Sequence, residues 1–331
     1  MTIGSGATIF GCAGQELRPD EARFFRDADP FGFILFGRNV ETPDQLLRLT
    51  TALRAAVGRD APILIDQEGG RVQRLRAPEW LEWQPPLDTV QSAPDLATAA
   101  RRMQLQMQVI AAELRRVGVD ANCAPVADVA CEITHPFLHN RCYGSDPAVV
   151  IEVARAVADG LLAGGVIPVM KHLPGHGRSH TDTHLDLPIV TASRKQLRAV
   201  DFAPFRALRD LPMAMTAHLV FAAYDQGLPA TQSPRMIQVI REEIGFDGLL
   251  MTDDLNMQAL SGTLSERTER SIAAGVDIAL HCNGDIAEMT EVARAAGVMG
   301  RETLRRGAAA LAMRRPVVAD VAALMAELAD V

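Results

Sequence analysis

Short runs of β-forming residues recur eight times along this chain, separated by stretches of helical periodicity, and that alternation limits the fold more than any other feature. The runs are ATIFGC (7–12), GFILFG (32–37), PILIDQE (62–68), VDANCAPVADV (119–129), VIPVMKH (166–172), MAMTAHL (213–219), GLLMTDD (248–254) and DIALHCN (277–283). Between them lie segments such as TPDQLLRLTTALRAAVG, PDLATAARRMQLQMQVIAAELRRVG, PAVVIEVARAVADGLLAGG and SRKQLRAVDFAPFRALRD. Several open on a capping residue and close on glycine, as with Thr42 and Gly58, or Ser145 and Gly164. Parallel strands need such crossover helices. An open doubly wound sheet would alternate in the same way, but no glycine-rich dinucleotide fingerprint follows the first run. The count of eight favours an α/β chain closed into a (β/α)8 TIM-type barrel. A length of 331 residues fits one such domain, with 301–331 expected as a C-terminal extension formed by one further amphipathic helix.

Composition narrows the partners. Hydrophobic residues make up 48% and charged residues 22%, enough apolar material for a large core. A net charge of −8 and a pI near 5.5 count against nucleic acid or an anionic membrane as the partner. No apolar run approaches the roughly 18 residues of a membrane span. The opening MTIGSGATIFGCAGQEL has no cationic leader, so Cys12 is not expected to carry a lipid and a cytoplasmic location is expected. The five cysteines are odd in number and lack C-x-x-C spacing, which argues against a disulfide framework or a zinc ribbon. Neither a cofactor nor a resident metal is expected.

In a barrel of this kind the active site forms at the C-terminal ends of the strands. Those ends carry Asp66 and Glu68, Asp128, Lys171 and His172, His218, Asp253 and Asp254, and Asn283. Any one alone has an equally good structural reading; their repetition does not. The segment VMKHLPGHGRSHTDTHLDLP (169–188) holds His172, His176, His180 and His184 at spacing four. On a helix that spacing would suggest a metal site, but Pro174, Gly175 and Gly177 break any helix, leaving a glycine-hinged loop. Within it Asp182 stands two residues from His184, close enough to orient the imidazole as a proton shuttle. In GFDGLLMTDDLNM a buried strand ends in two carboxylates, and strand alternation lets only one of Asp253 and Asp254 face the centre without saying which. Asp66, with Arg71 and Arg74 beyond two glycines, suits a polyol ligand as well as an ion pair at the rim. Arg141, in HNRCYG, reads equally as ligand clamp or loop anchor.

The ordered set LIDQEGGRVQRL, NRCYG, KHLPGHG followed by D-T-H, and MTDDLNM, spread over 62–257, resembles the family 3 glycoside hydrolases of the bacterial β-N-acetylglucosaminidase type. The resemblance implies a retaining mechanism and release of terminal GlcNAc from GlcNAc-1,6-anhydroMurNAc peptides or the disaccharide during cytoplasmic cell-wall recycling. It implies Asp253 as nucleophile, His184 with Asp182 as acid/base, and Asp66, Arg74, Arg141, Lys171 and His172 as sugar-binding residues. Two departures affect loop packing rather than proton transfer: Thr183 stands where the family has serine, and Leu173 where it has phenylalanine. A histidine in place of the usual second carboxylate puts no second negative charge beside the glycosyl ester, which leaves the site open to an anionic acceptor such as phosphate in place of water. Phosphorolysis is therefore one alternative, and a metal-dependent barrel hydrolase using the loop histidines is another. A small-molecule substrate and a monomeric protein are expected.

Overall fold

The structure, a computed structural model, describes residues 2–179, 187–315 and 317–331. Eight parallel strands form one sheet: β1 (Gly6–Phe10), β2 (Pro30–Leu35), β3 (Ile63–Ile65), β4 (Ala121–Asn122), β5 (Ile167–Leu173), β6 (Met213–Thr216), β7 (Leu249–Met251) and β8 (Ala279–His281). Their spatial order is β7-β6-β5-β4-β3-β2-β1-β8. A parallel bridge from Met251 to Ile278 joins the two ends, closing the sheet into the expected barrel. Every strand residue is buried, as it must be when helices cover the outside and side chains fill the inside.

The crossover helices include α1 (Pro19–Ala28), α2 (Pro43–Val57), α3 (Leu96–Arg116) and α4 (Pro147–Ala163). Thr42 caps α2 by accepting from the Gln45 N–H, and Gly58 ends it at φ +63°. For α4 the cap is Asp146, whose side chain accepts from the Ala148 N–H, and not Ser145. The stretch 193–210 is not one helix. It runs as Arg194–Gln196, a π turn at Leu197–Asp201, and Ala203–Ala207, because Pro204 has no N–H for the ladder and collides with the preceding turn.

The run 119–129 yields only two ladder residues. Pro125 cannot donate, and the chain rejoins β5 through a single bridge from Val126 to Lys171. The run 62–68 leaves the barrel at Asp66 and turns back as a hairpin of Gln67–Gly69 and Val72–Gln73. Gly69 and Gly70 make that turn at φ +105° and +59°, and a Cβ on Gly70 would lie 2.7 Å from the Pro85 Cα. The C-terminal extension is two helices, Arg301–Leu311 and Val321–Asp330, and not the single helix expected. The sequence places Pro316 between them, which disfavours a continuous helix.

Candidate active site

At the C-terminal rim, side chains from seven of the strands and their following loops surround a cavity of about 300 Å³. Asp66, Arg74, Arg141, Lys171, His172 and Asp253 all line it, together with Arg71, Phe137, His176 and Asp254. Asp182 and His184 lie outside the described residues, as does His180.

One wall is an ion network. Lys171, at the end of β5 and 2% exposed, places its Nζ 2.7 Å from Asp66 Oδ1 and 2.6 Å from Glu68 Oε1. Arg74 donates to the other Asp66 oxygen at 3.0 Å, and Arg141 grips Glu68 through two bonds of 2.8 Å. Burial alone would favour neutral acids, but Lys171, Arg74 and Arg141 hold the Asp66 carboxyl far below its usual range. For Glu68 burial is again outweighed, by Arg141 first and then Lys171. Backbone position is supplied by Asn122 at the end of β4, which accepts from the Gln67 N–H and donates to the Gln67 carbonyl, both at 2.9 Å. Each Asp66 oxygen has one cationic donor, so lone pairs remain to accept hydroxyl hydrogens from a polyol.

The second wall is built on Asp128, which is fully buried. Its Oδ2 lies 2.7 Å from His172 Nδ1, and its Oδ1 accepts the His176 N–H at 2.7 Å. Burial opposes the charge on Asp128, but the His172 and His176 contacts bring its carboxyl below the ordinary range. With Nδ1 committed to a carboxylate, His172 has Nε2 left for a ligand. The His176 ring stands edge-on to His172 at 5.3 Å, and burial, then the neighbouring imidazole, push it down to about 4. Gly177 passes so close to the Val129 carbonyl that a Cβ would sit 1.8 Å from its oxygen. Among the described residues no three His, Cys, Asp or Glu side chains converge as a metal site would require.

The third wall follows β7. Strand alternation lets only one of Asp253 and Asp254 face the centre, but the ladder stops at Met251 and both residues line the cavity. Period-two alternation does not extend into a turn. Their environments differ. Asp253 Oδ1 accepts the Asp254 N–H at 2.8 Å. Burial works against its charge, yet the His172 and His218 imidazoles, that N–H and Lys171 hold its carboxyl below the normal range. Asp254 accepts from the Asn256 and Cys282 N–H groups at 3.2 Å, and burial together with the Asp253 charge pushes its carboxyl up. Two adjacent carboxyls pushed apart in this way suit different roles, an ionised one and one more readily protonated. Glu68, Asp128 and His218 also belong to the site. Each is a polar residue at or just beyond a strand end, the signal by which sequence reading can find them, although it does not say what they touch.

The family profile for the glycosyl hydrolase family 3 N terminal domain matches residues 17–306. A beta-hexosaminidase of Nitrosomonas eutropha is 38% identical over 261 residues, covering 76% of this chain and 73% of that protein. One from Alkalilimnicola ehrlichii is 37% identical over 285 residues, covering 84% and 81%. Among solved structures, NagZ from Neisseria gonorrhoeae in complex with N-trifluoroacetyl-D-glucosamine has a TM-score of 0.88 at 29% identity, over 99% of this chain and 98% of that one. A glycoside hydrolase family 3 beta-N-acetylglucosaminidase from a Paenibacillus species has a TM-score of 0.84 at 27% identity, over 98% of this chain and 67% of that one.

Proposed function

The chain belongs to glycosyl hydrolase family 3 and is a glycoside hydrolase of the beta-hexosaminidase type, and from that premise we propose that it is a retaining β-N-acetylglucosaminidase with Asp253 as its nucleophile. The observation that carries this is the contrast between Asp253 and Asp254: the Asp253 carboxyl is held below its ordinary range beside the cavity by His172, a backbone N–H and Lys171, whereas burial and the Asp253 charge push the Asp254 carboxyl up. An ionised, positioned carboxylate can attack an anomeric carbon to give a covalent glycosyl ester. His184, with Asp182 two positions before it in the sequence, donates its proton to the leaving oxygen as that ester forms and afterwards takes one from water.

Asp66, Arg74, Arg141, Lys171 and His172 bind the sugar in this reading. Asp66 accepts from sugar hydroxyls, Lys171 and Arg74 fix its carboxylate, Arg141 fixes Glu68 behind Lys171, and His172 offers Nε2. The substrate is a GlcNAc-containing muropeptide or disaccharide, with terminal GlcNAc β-linked to 1,6-anhydroMurNAc, and the setting is cytoplasmic cell-wall recycling by a monomeric enzyme. Relatives named beta-hexosaminidase and a neighbour solved with a glucosamine derivative support a GlcNAc-type glycone. No described helix is long and apolar enough to cross a membrane.

The test is Asp253→Ala assayed on an aryl β-GlcNAc, expected to lose roughly a thousandfold or more of turnover. A 2-fluoro sugar mimic should leave its label on Asp253 by mass spectrometry; a label on Asp254, or undiminished turnover in the variant, would sink the assignment. GlcNAc-anhydroMurNAc incubated with and without phosphate should give free GlcNAc in both cases, whereas a sugar phosphate would make the enzyme a phosphorylase.

A further inference from the structure

His218 is a buried titratable side chain beside the cavity that the proposed reaction leaves without a role. We propose that it is a positioning residue for the nucleophile, acting through Asp254; this rests on the reading of Asp253 as nucleophile. It stands two residues past the end of β6 and is 1% exposed. Its Nε2 lies 3.1 Å from the Asp254 carbonyl oxygen, which can only accept, so Nε2 carries a hydrogen. Its Nδ1 lies 2.7 Å from Thr231 Oγ1, and Thr231 Oγ1 lies 2.8 Å from Thr216 Oγ1. With the ring neutral, Thr216 donates to Thr231, Thr231 to Nδ1, and Nε2–H to Asp254, one direction along the whole relay. The Ala217 carbonyl, 3.2 Å from Thr231, is the longer alternative acceptor.

The relay meets the chain just past the strand ladder, which ends at Met251. There the Asp254–Leu255 peptide is held by the Leu280 carbonyl, which accepts the Leu255 N–H at 3.0 Å, and by the Met257 N–H, which donates to the Asp254 carbonyl at 3.1 Å, as well as by His218. The Asp254 carbonyl takes the His218 N–H while the Asp254 N–H donates to Asp253 Oδ1 at 2.8 Å. Losing the His218 bond leaves this peptide on its two backbone bonds alone, so that it can tilt and misdirect the Asp254 N–H, which orients the attacking carboxylate. A displacement of that kind slows the chemical step more than it weakens sugar binding, since the groups proposed to bind sugar stand on the walls after β3, β4 and β5.

The experiment compares His218→Ala, His218→Gln and Thr231→Val on an aryl β-GlcNAc, reading kcat, inhibition by free GlcNAc, and the rate of trapping by the 2-fluoro sugar. His218→Ala is expected to lower kcat and trapping about 10- to 100-fold with GlcNAc inhibition within about twofold. His218→Gln, which keeps an N–H within reach of the Asp254 carbonyl, should recover to within about fivefold of the parent. Thr231→Val should fall between, and combining it with His218→Ala should add little, as expected for one connected unit. Glutamine no better than alanine, GlcNAc inhibition weakening in step with kcat, or fully additive losses would each overturn the proposal. Should His218→Ala fail to fold, Thr231→Val alone decides, since unchanged kcat there overturns it. Failure of the premise reads differently, as a label outside Asp253 in the unmodified protein.

Discussion

Lys171 shows how much one residue can tie together. It is a fully desolvated ammonium between two carboxylates, Asp66 and Glu68, and burial is offset by their charges so that it stays protonated well above neutrality. Removing one member of a buried ion network is costly because the partners keep their desolvation penalty. Lys171→Met is expected to cost about 3 kcal/mol in denaturant unfolding and to weaken GlcNAc inhibition at least about tenfold. Unchanged GlcNAc inhibition would remove Lys171 from the sugar site. His176 gives a pH prediction with a definite sign. Its folded value of about 4 lies below the ordinary 6.5, so the unfolded chain binds the extra proton first. Its contribution is present above pH 6.5 and is lost as pH falls towards 4, on the order of 3 kcal/mol at most. His176→Asn should flatten the stability curve in that window, and a curve with the same slope in both proteins would contradict it. The sequence makes such residues visible as polar groups at strand ends. It does not show that Asp128 would take His172 and His176 together, because those contacts cross 44 and 48 positions of chain.

At the scale of elements, the most constrained is the turn after β5. Gly177 lies against the Val129 backbone with no room for a Cβ, and its carbonyl accepts from the Thr134 hydroxyl at 2.5 Å. Gly177→Ala is therefore expected to cost about 1–3 kcal/mol, read as a fall in melting temperature, and to lower kcat. Gly14→Ala, where nothing lies within 4 Å, serves as the control and should stay within about 0.5 kcal/mol. Equal effects at the two positions would mean the close approach is not what matters. Helices with strong periodicity and caps were legible from sequence, as α2 shows at both ends. Those interrupted by proline or capped by one of two adjacent polar residues were less so. Ser145 and Asp146 both have capping side chains, and the position of the first helical turn decides between them.

The molecule as a whole is held at its floor by buried ions far from the cavity. Asp120, just ahead of β4, accepts from Arg54 at 3.0 Å, Arg314 at 2.7 Å and the Ile63 N–H at 2.8 Å. Asp277, ahead of β8, does the same with Arg241 at 2.6 Å, Arg306 at 3.0 Å and the Leu250 N–H at 2.9 Å. Each therefore links neighbouring barrel strands to a helix outside the barrel. Arg314→Ala is expected to destabilise by about 2–3 kcal/mol, less than a lone buried pair because Arg54 remains, with kcat on an aryl β-GlcNAc within about twofold of the parent. A large kcat loss in folded protein would show that the floor communicates with the rim.

By itself the sequence determined the eightfold βα alternation, the barrel it implies, and the family, because periodicity, caps and short motifs are local and survive without knowledge of contacts. Only the tertiary structure decided that Asp253 and Asp254 both reach the cavity, since that depends on where the ladder stops at Met251. It alone decided that Glu68 stands behind Lys171 rather than at the rim, and that His218 reaches the Asp254 carbonyl. The physical reason is common to all three: a buried polar group takes its role from partners that closure of the barrel brings near, and the spacing of residues along the chain does not carry that distance.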